Sequence, residues 1–285
     1  MNNSMDFGCS KKISYSESLE YFDYDFSYIL QNNGVFQDFI ATTDLVYNNF
    51  SLSFQDFINI SFFHANNDLL CSGVKAEYAI LNLSLSYEFN FNQRKEIIKY
   101  LKNFLASMNV KLLNAHTVVG NDFFISWSLI SKKNIKFIES DIANTNIFLT
   151  KSLGGSSNSS LENVELMKQK NDFILEKLDN INYITDISGY GIYNILSLLN
   201  KQYNIKFNIS KISMRNNIVE TMLDCDVKRN LGRQDIGFTD FDKKLLFSSE
   251  FNGPLLVFSK LDQMENCFCI GKTSDMNSLE WFIYE

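Results

Sequence analysis

The sequence predicts a two-domain protein of the α+β class, with helices layered on sheets. Three observations lead there. The first is size: 285 residues exceed the roughly 100–200 of one ordinary domain and let each half close its own core. The second is the order of apolar patterns in the first half, which runs strand, helix, strand, helix, strand, strand; that order suits an α+β layer better than a doubly wound parallel sheet. The third is a stretch in the second half, Ile184-Thr185-Asp186-Ile187-Ser188-Gly189-Tyr190-Gly191, around which the rest of the chain can be organised.

In that stretch a strand-like run carries one carboxylate to its end. Two glycines then open a helix over 192–199 with apolar residues on the helical period. Glycine allows the tight turn, the helix N-terminus offers unpaired N–H groups to an anion, and Asp186 can ligate a cation bridging to that anion. A plain strand-turn-helix with a solvated aspartate has the same local pattern, so the remaining elements decide between the two.

Composition narrows the function classes. A net charge of −7 argues against a nucleic-acid partner held by phosphate contacts, which need clustered Lys and Arg. No apolar run is long enough to span a bilayer, and the polar segment 1–12 lacks the core of a secretory signal, so a cytoplasmic protein with no membrane partner is expected. Five cysteines, an odd number, read as reduced thiols. Cys267 and Cys269 alternate on an apparent strand with no second pair to complete a zinc site, and core packing is expected of them. A single proline, where roughly 5% is usual, points to compositional drift.

The elements follow in order. Near the N-terminus Cys9 stands three residues before Lys12, an ammonium that can raise the thiolate fraction of the cysteine or neutralise a transferring phosphoryl group. A turn at 31–34 leads into an extended stretch ending at Asp44. A helix is predicted over 53–70, with Phe54, Phe57, Ile58 and Phe62 on one face. Asp68 lies near its C-terminal end, where the helix dipole disfavours a carboxylate and calls for a compensating charge. His64, one turn earlier, reads as a polar side chain satisfied by a neighbour. A half-buried strand is predicted over 75–87, a helix over 94–108, and extended runs over 112–119 and 123–130. Residues 140–145 mark the boundary between an N-terminal domain, 1–143, and a C-terminal domain, 144–285. Beyond it come a strand at 147–151, a Gly/Ser-rich segment at 152–160, a helix over 161–178, and extended segments at 245–247 and 254–258. No Rossmann or Walker fingerprint is present.

Taken together and in this order, these pieces resemble selenophosphate synthetase (selenide, water dikinase), within the aminoimidazole-ribonucleotide synthetase-like superfamily. Gly8-Cys9-Ser10-Lys11-Lys12 resembles that family's N-terminal Cys-x-x-Lys, and Thr42-Thr43-Asp44 its Thr-Thr-Asp strand end. Ala65-Asn66-Asn67-Asp68 falls at its Asn-Ala-Leu-Ser-Asp helix. Ala115-His116-Thr117 is similar to its Gly-His-Thr, and Leu149-Thr150-Lys151-Ser152-Leu153-Gly154 to its Leu-Thr-Lys-Pro-Leu-Gly. Thr185-Asp186-Ile187-Ser188-Gly189-Tyr190-Gly191 is similar to its Thr-Asp-Val-Thr-Gly-Phe-Gly.

The resemblance implies the family's two-domain fold: an N-terminal domain whose sheet makes a homodimer, and a C-terminal α/β layered domain. It also implies ATP-dependent synthesis of selenophosphate from selenide and water, giving AMP and phosphate. Cys9 and Lys12, on an arm formed by 1–20, would be catalytic. ATP would be contacted by Lys12, Thr43, Asp44, Asp68, His116, Thr117, Lys151 and Gly189, with Mg²⁺ held by Asn32, Asp44, Asp68 and Asp186. Three departures favour an alternative, a non-catalytic relative that binds ATP or another protein. Asn32 stands where the family has a metal-binding Asp and should weaken a hard-cation site; His64 replaces an Asn; and residues 250–254 replace a Gln-Thr-Ser-Gly-Gly segment.

Overall fold

The computed structural model describes residues 32–48, 52–134, 137, 141–154, 161–210, 212–214, 244–276 and 282–284, with isolated residues at 17, 20, 21, 224 and 227. Cys9, Lys12 and most of the Gly/Ser-rich segment lie outside the described residues.

The first half forms a five-stranded sheet and two helices. In chain order the elements are β1 (Gly34–Phe36), β2 (Phe39–Tyr47), α1 (Phe54–Leu70), β3 (Tyr78–Ser86), α2 (Phe91–Ser107), β4 (Lys111–Gly120) and β5 (Phe124–Lys132). The sheet order is β1-β2-β5-β3-β4. Only β3 and β4 pair in parallel, joined across α2; the other pairs are antiparallel. On one face Leu81 and Trp127 pack with Phe57, Ile58 and Phe62 of α1 and Leu101 of α2 in a single apolar core. Two caps hold the helix starts: Ser53 accepts from the Asp56 N–H at 3.1 Å, and Asn90 forms a reciprocal capping box with Gln93. The opposite face is open, with Ala41, Thr43 and Leu45 of β2 and Asn82 of β3 exposed. Edge strand β4 has no buried residue.

The second half forms a six-stranded sheet ordered β11-β8-β10-β6-β9-β7. Its elements are β6 (Asn146–Leu149), α3 (Leu161–Met167), a 3₁₀ segment (Asp172–Asn180), β7 (Ile181–Asp186), α4 (Gly191–Tyr203), β8 (Ile205–Ile209), β9 (Leu255–Ser259), β10 (Phe268–Asp275) and β11 (Phe282–Tyr284). Both faces are covered. Leu256 and Phe258 of β9 pack with Ile195, Leu198 and Leu199 of α4. Leu255 and Val257, pointing the other way, pack with Ile174 of the 3₁₀ segment and with Leu70 and Cys71 at the end of α1. That last contact sets the geometry of the molecule: the C-terminal end of a helix from the first half is buried against the second sheet.

Three sequence expectations change. The helix expected over 161–178 is two pieces, because the chain breaks at 168–171 to bury Asn171 in a polar cluster behind α1. Residues 245–247 are not extended but turn, with the Phe247 and Ser248 N–H groups donating to Lys244 and Leu245 carbonyls. Of the two cysteines expected in the core, half-buried Cys267 packs against the cluster of Leu70, Ile174 and Met264, but Cys269 is exposed, at a register shift between Cys269 and Gly271.

Candidate functional site

Three aspartates reach one cleft from three elements. Asp44 lies on β2, Asp68 three residues before the Cys71 cap of α1, and Asp186 at the end of β7. Docking α1 on the second sheet brings the last two together. Thr42, two residues before Asp44 and therefore on the same strand face, donates from Oγ1 to Asp68 Oδ2 at 2.7 Å. Asn32 joins the group as well: its Nδ2 donates to Thr185 Oγ1 at 3.3 Å, next to Asp186. The turn carrying it is tied to the end of α1 by Asn33, whose Nδ2 donates to the Asp68 carbonyl at 2.9 Å and Ser72 Oγ at 2.8 Å.

His64 sits among these acids. Its Nε2 lies 3.0 Å from Asp44 Oδ2, and its Nδ1 accepts from the Asn252 N–H at 3.2 Å. A backbone N–H can only donate, so the arrangement is that of the Nε2–H tautomer. Burial pulls the pKa of His64 down, but the charge and hydrogen bond of Asp44, with Asp186 and Asp68 beyond, outweigh it and leave it above 6.5. Its reading as a satisfied polar side chain therefore holds, with the satisfaction coming from the acidic cleft itself.

The cleft holds more negative charge than its own groups balance. Burial pushes the Asp68 carboxyl well above its ordinary range, and the charges of Asp186 and Asp44 push further; the Thr42 hydrogen bond and His64 pull the other way. The last turn of α1 has no basic residue, so the compensation that this helix offers Asp68 comes from His64, one turn earlier. Asp186 Oδ2 accepts from the Ser188 N–H at 3.0 Å, while its Oδ1 is buried with no hydrogen-bond partner among the described residues. An orphaned carboxylate oxygen in a net-negative cleft fits a divalent cation. No three His, Cys, Asp or Glu side chains among the described residues form a closed ligand group. The expected Mg²⁺ ligand set of Asn32, Asp44, Asp68 and Asp186 therefore does not stand assembled among the described residues, and one or two of these carboxylates would need waters or phosphate oxygens to complete a shell.

The other predicted residues are placed differently. Thr43 points to the opposite face of β2, where its Oγ1 is 3.4 Å from Ser128 Oγ. His116 lies on that open face at the far edge, in register through Asn82 and Ser126 with Leu45, three strand spacings or roughly 14 Å away. Thr117 follows it on the exposed edge strand. Within one chain, these three do not join the acids. Lys151 is buried behind the cleft, its Nζ donating to the Asn252 carbonyl at 3.0 Å. Gly189 supplies a left-handed turn, φ +85°, after Asp186, and its carbonyl accepts from Ser249 Oγ at 3.2 Å. The start of α4 is not open to an anion as expected, because the Gly191 N–H is bonded to the Ile187 carbonyl and the Tyr193 N–H to that of Leu246.

Two residues were missed. Thr42 was legible from the strand period, which sets it and not Thr43 beside Asp44. Asn252 was not: it donates to His64, accepts from Lys151, and its fully buried side chain reaches the Met167 and Gln169 carbonyls, partners from three distant parts of the chain.

An open-faced five-stranded sheet packed through one helix against a second, doubly covered sheet, with acids where they meet, is the aminoimidazole-ribonucleotide synthetase-like fold. Solved structures share it. Thiamine monophosphate kinase from Aquifex aeolicus superposes with a TM-score of 0.68 at 14% identity, covering 95% of each chain. A structure of AaThiL complexed with AMPPCP and TMP gives 0.67 at 13%, over 94% of this chain and 91% of that one. The hydrogenase maturation protein HypE in complex with ATP gives 0.63 at 14%, over 92% and 85%. The sequence matches no protein-family profile and no curated protein.

Proposed function

We propose that the chain binds ATP with Mg²⁺ in the cleft of Asp44, Asp68 and Asp186, between an N-terminal domain of 1–143 and a C-terminal domain of 144–285, and transfers a phosphoryl group to a small acceptor. The observation that carries this reading is the buried Oδ1 of Asp186, without a hydrogen-bond partner among the described residues, in a cleft where Asp68 is already held against its own ionisation. Bound Mg²⁺ would neutralise the triphosphate and the developing charge of transfer. Asp186 and Asp68 hold the cation side of the cleft. Thr42 fixes the Asp68 carboxylate, and His64 fixes that of Asp44 while offsetting part of its charge. The complexes of the structural neighbours, AMPPCP with one and ATP with another, support a nucleotide in this fold.

The acceptor we infer is selenide, with AMP and phosphate released beside selenophosphate. Support for it comes from the sequence resemblance, above all Cys9 and Lys12. Lys12 would stabilise the phosphoryl group in transit and Cys9 would deliver the selenide. The open face of the first sheet, carrying Thr43 and His116, suits a second copy of the chain, and in a homodimer those residues with Thr117 would approach the nucleotide across the interface. The test is release of AMP from ATP as selenide is added. Selenide-dependent AMP supports the reading; turnover indifferent to selenide and to Cys9→Ser removes selenium and leaves a kinase for another small molecule.

A second reading, a non-catalytic ATP-binding relative, draws on the His64–Asp44 pair, which engages a carboxylate that a metal would otherwise use. ATP binding with no turnover would favour it.

A further inference from the structure

The three acids of the cleft are not equally engaged. Asp44 has a donor on each carboxylate oxygen: the Leu45 N–H reaches Oδ1 at 2.9 Å, and His64 Nε2 reaches Oδ2 at 3.0 Å. Asp186 has a donor on Oδ2 and none on buried Oδ1 among the described residues. Asp68 receives Thr42 on Oδ2.

The ring that engages Asp44 is held on its other side. Phe251 meets it edge to face, with ring centroids 5.3 Å apart. The Asn252 N–H donates to Nδ1 at 3.2 Å, and Ser188 Oγ lies 3.5 Å from the same nitrogen. With the Nδ1 lone pair used in this way, the ring proton sits on Nε2 and faces Asp44. Neither nitrogen is left to ligate a metal, because one carries the proton and the other accepts a backbone hydrogen bond. What His64 gives the cleft is a fixed N–H donor. A cation on Asp44 Oδ2 would have to displace that donor or repel its hydrogen at the shared oxygen.

We propose that His64 is a positioning residue that withdraws Asp44 from cation binding, so that the cleft holds one divalent cation, on Asp68 and Asp186. Three unengaged carboxylates could seat a pair of ions; with Asp44 turned to the imidazole, the two that remain suffice for one. This deepens the reading of the cleft as a cation and nucleotide site and rests on it.

The test is titration of the full chain with Mn²⁺ alone, an ion that suits the same oxygen ligands as Mg²⁺, with free Mn²⁺ counted by electron paramagnetic resonance. One bound Mn²⁺ is expected. Asp186→Asn should weaken it at least about tenfold, and Asp44→Asn less than about threefold. In His64→Asn the amide oxygen can replace Nδ1 as acceptor for the Asn252 N–H, but the side chain is too short to reach Asp44. That variant should gain a second Mn²⁺, lost again when Asp44→Asn is added. Such an interaction between the two positions is not expected of a merely structural histidine.

Nitrogen NMR of the unmutated chain reads the pair without a substitution. The chain has only two histidines, and exposed His116 serves as the reference. Saturating Mg²⁺ should leave His64 as the Nε2–H tautomer with its hydrogen bond intact. Two Mn²⁺ on the unmutated chain, equal losses in Asp44→Asn and Asp186→Asn, no second ion in folded His64→Asn, or loss of the Nε2–H signal with Mg²⁺ overturns the withdrawal of Asp44 and leaves the cation site standing. If His64→Asn does not fold, the Asp44→Asn titration and the spectra decide. No Mn²⁺ on either the unmutated chain or His64→Asn removes the cation reading and this inference together.

Discussion

The C-terminal turns of α1 face two polar environments side by side, and the contrast between them separates groups that hold the fold from groups that wait for a ligand. On one side Asn67 enters a neutral cluster that is fully buried and satisfied. Asn171 Nδ2 donates to Asn67 Oδ1 at 2.9 Å and lies 3.1 Å from the Gly253 carbonyl. Asn67 Nδ2 donates to Asn252 Oδ1 at 3.2 Å, and Thr150 Oγ1 donates to Asn171 Oδ1 at 2.8 Å. On the other side, one residue later, Asp68 enters the acidic cleft, where charges repel and Asp186 Oδ1 has no hydrogen-bond partner among the described residues. Buried polar groups that serve the fold are bonded. Those that are left short mark where the protein has kept binding energy for something else.

Substitutions in the neutral cluster should therefore unfold the protein, and substitutions in the cleft should spare or help stability while removing ligand binding. The largest effect is expected for Asn252→Ala, which strands several buried partners and places a Cβ-bearing residue without polar compensation at φ +45°. It should cost about 3 kcal/mol in urea unfolding, and Asn252→Gly, which suits that backbone, about 1 kcal/mol less. Gly191→Ala comes next. Its Cβ would lie 2.6 Å from the Leu246 carbonyl and 2.7 Å from Phe247 Cα at φ +76°, and a loss of about 2 kcal/mol is expected in the same measurement. Stability that survives either change would show that the segment 246–252 does not lock the two halves together.

In the cleft the sign reverses. Asp186→Asn should weaken ATP·Mg²⁺ at least about tenfold by calorimetric titration and leave the melting temperature of the metal-free protein equal or higher. Asp68→Asn should raise that temperature by a few degrees at neutral pH, since it removes a carboxyl held against ionisation. The pH dependence has the same origin. Asp68 and His64 both have folded pKa values above their ordinary 3.8 and 6.5, so the native state binds more protons than the unfolded chain. The stability they contribute is complete below those ordinary values and is lost as pH rises through the raised ones. Metal-free protein should accordingly melt lower at pH 8 than at pH 5, with a slope that Mg²⁺ reduces. A slope of the opposite sign would mean that the acids do not share a field.

What could be read from the chain was whatever one element decides alone. The stripes of Ile97, Leu101, Phe104 and Leu105 on α2, the alternation of Ala79, Leu81, Leu83 and Leu85 on β3, and the position of Asp186 at a strand end before a glycine turn follow from local period and turn chemistry. So does each of the three aspartates as a candidate. Contacts between elements were less legible. The helix expected over 161–178 breaks because burying Asn171 against Asn67 and Thr150 outweighs the propensity of the intervening residues. The start of α4 is closed to anions because Leu246 and Phe247, more than fifty residues on, turn over it.

The sequence by itself determined most of the elements, the layered α+β class and the three carboxylates, because strand and helix periods and turn residues act over a few positions of the chain. Only the tertiary structure decided that Thr42 rather than Thr43 serves the cleft, that His64 is held between Asp44 and Asn252, and that Lys151 is buried behind the cleft. Those outcomes depend on which face of one element is pressed against another, and the burial of the end of α1 on the second sheet is a contact between distant parts of the chain that no local pattern encodes.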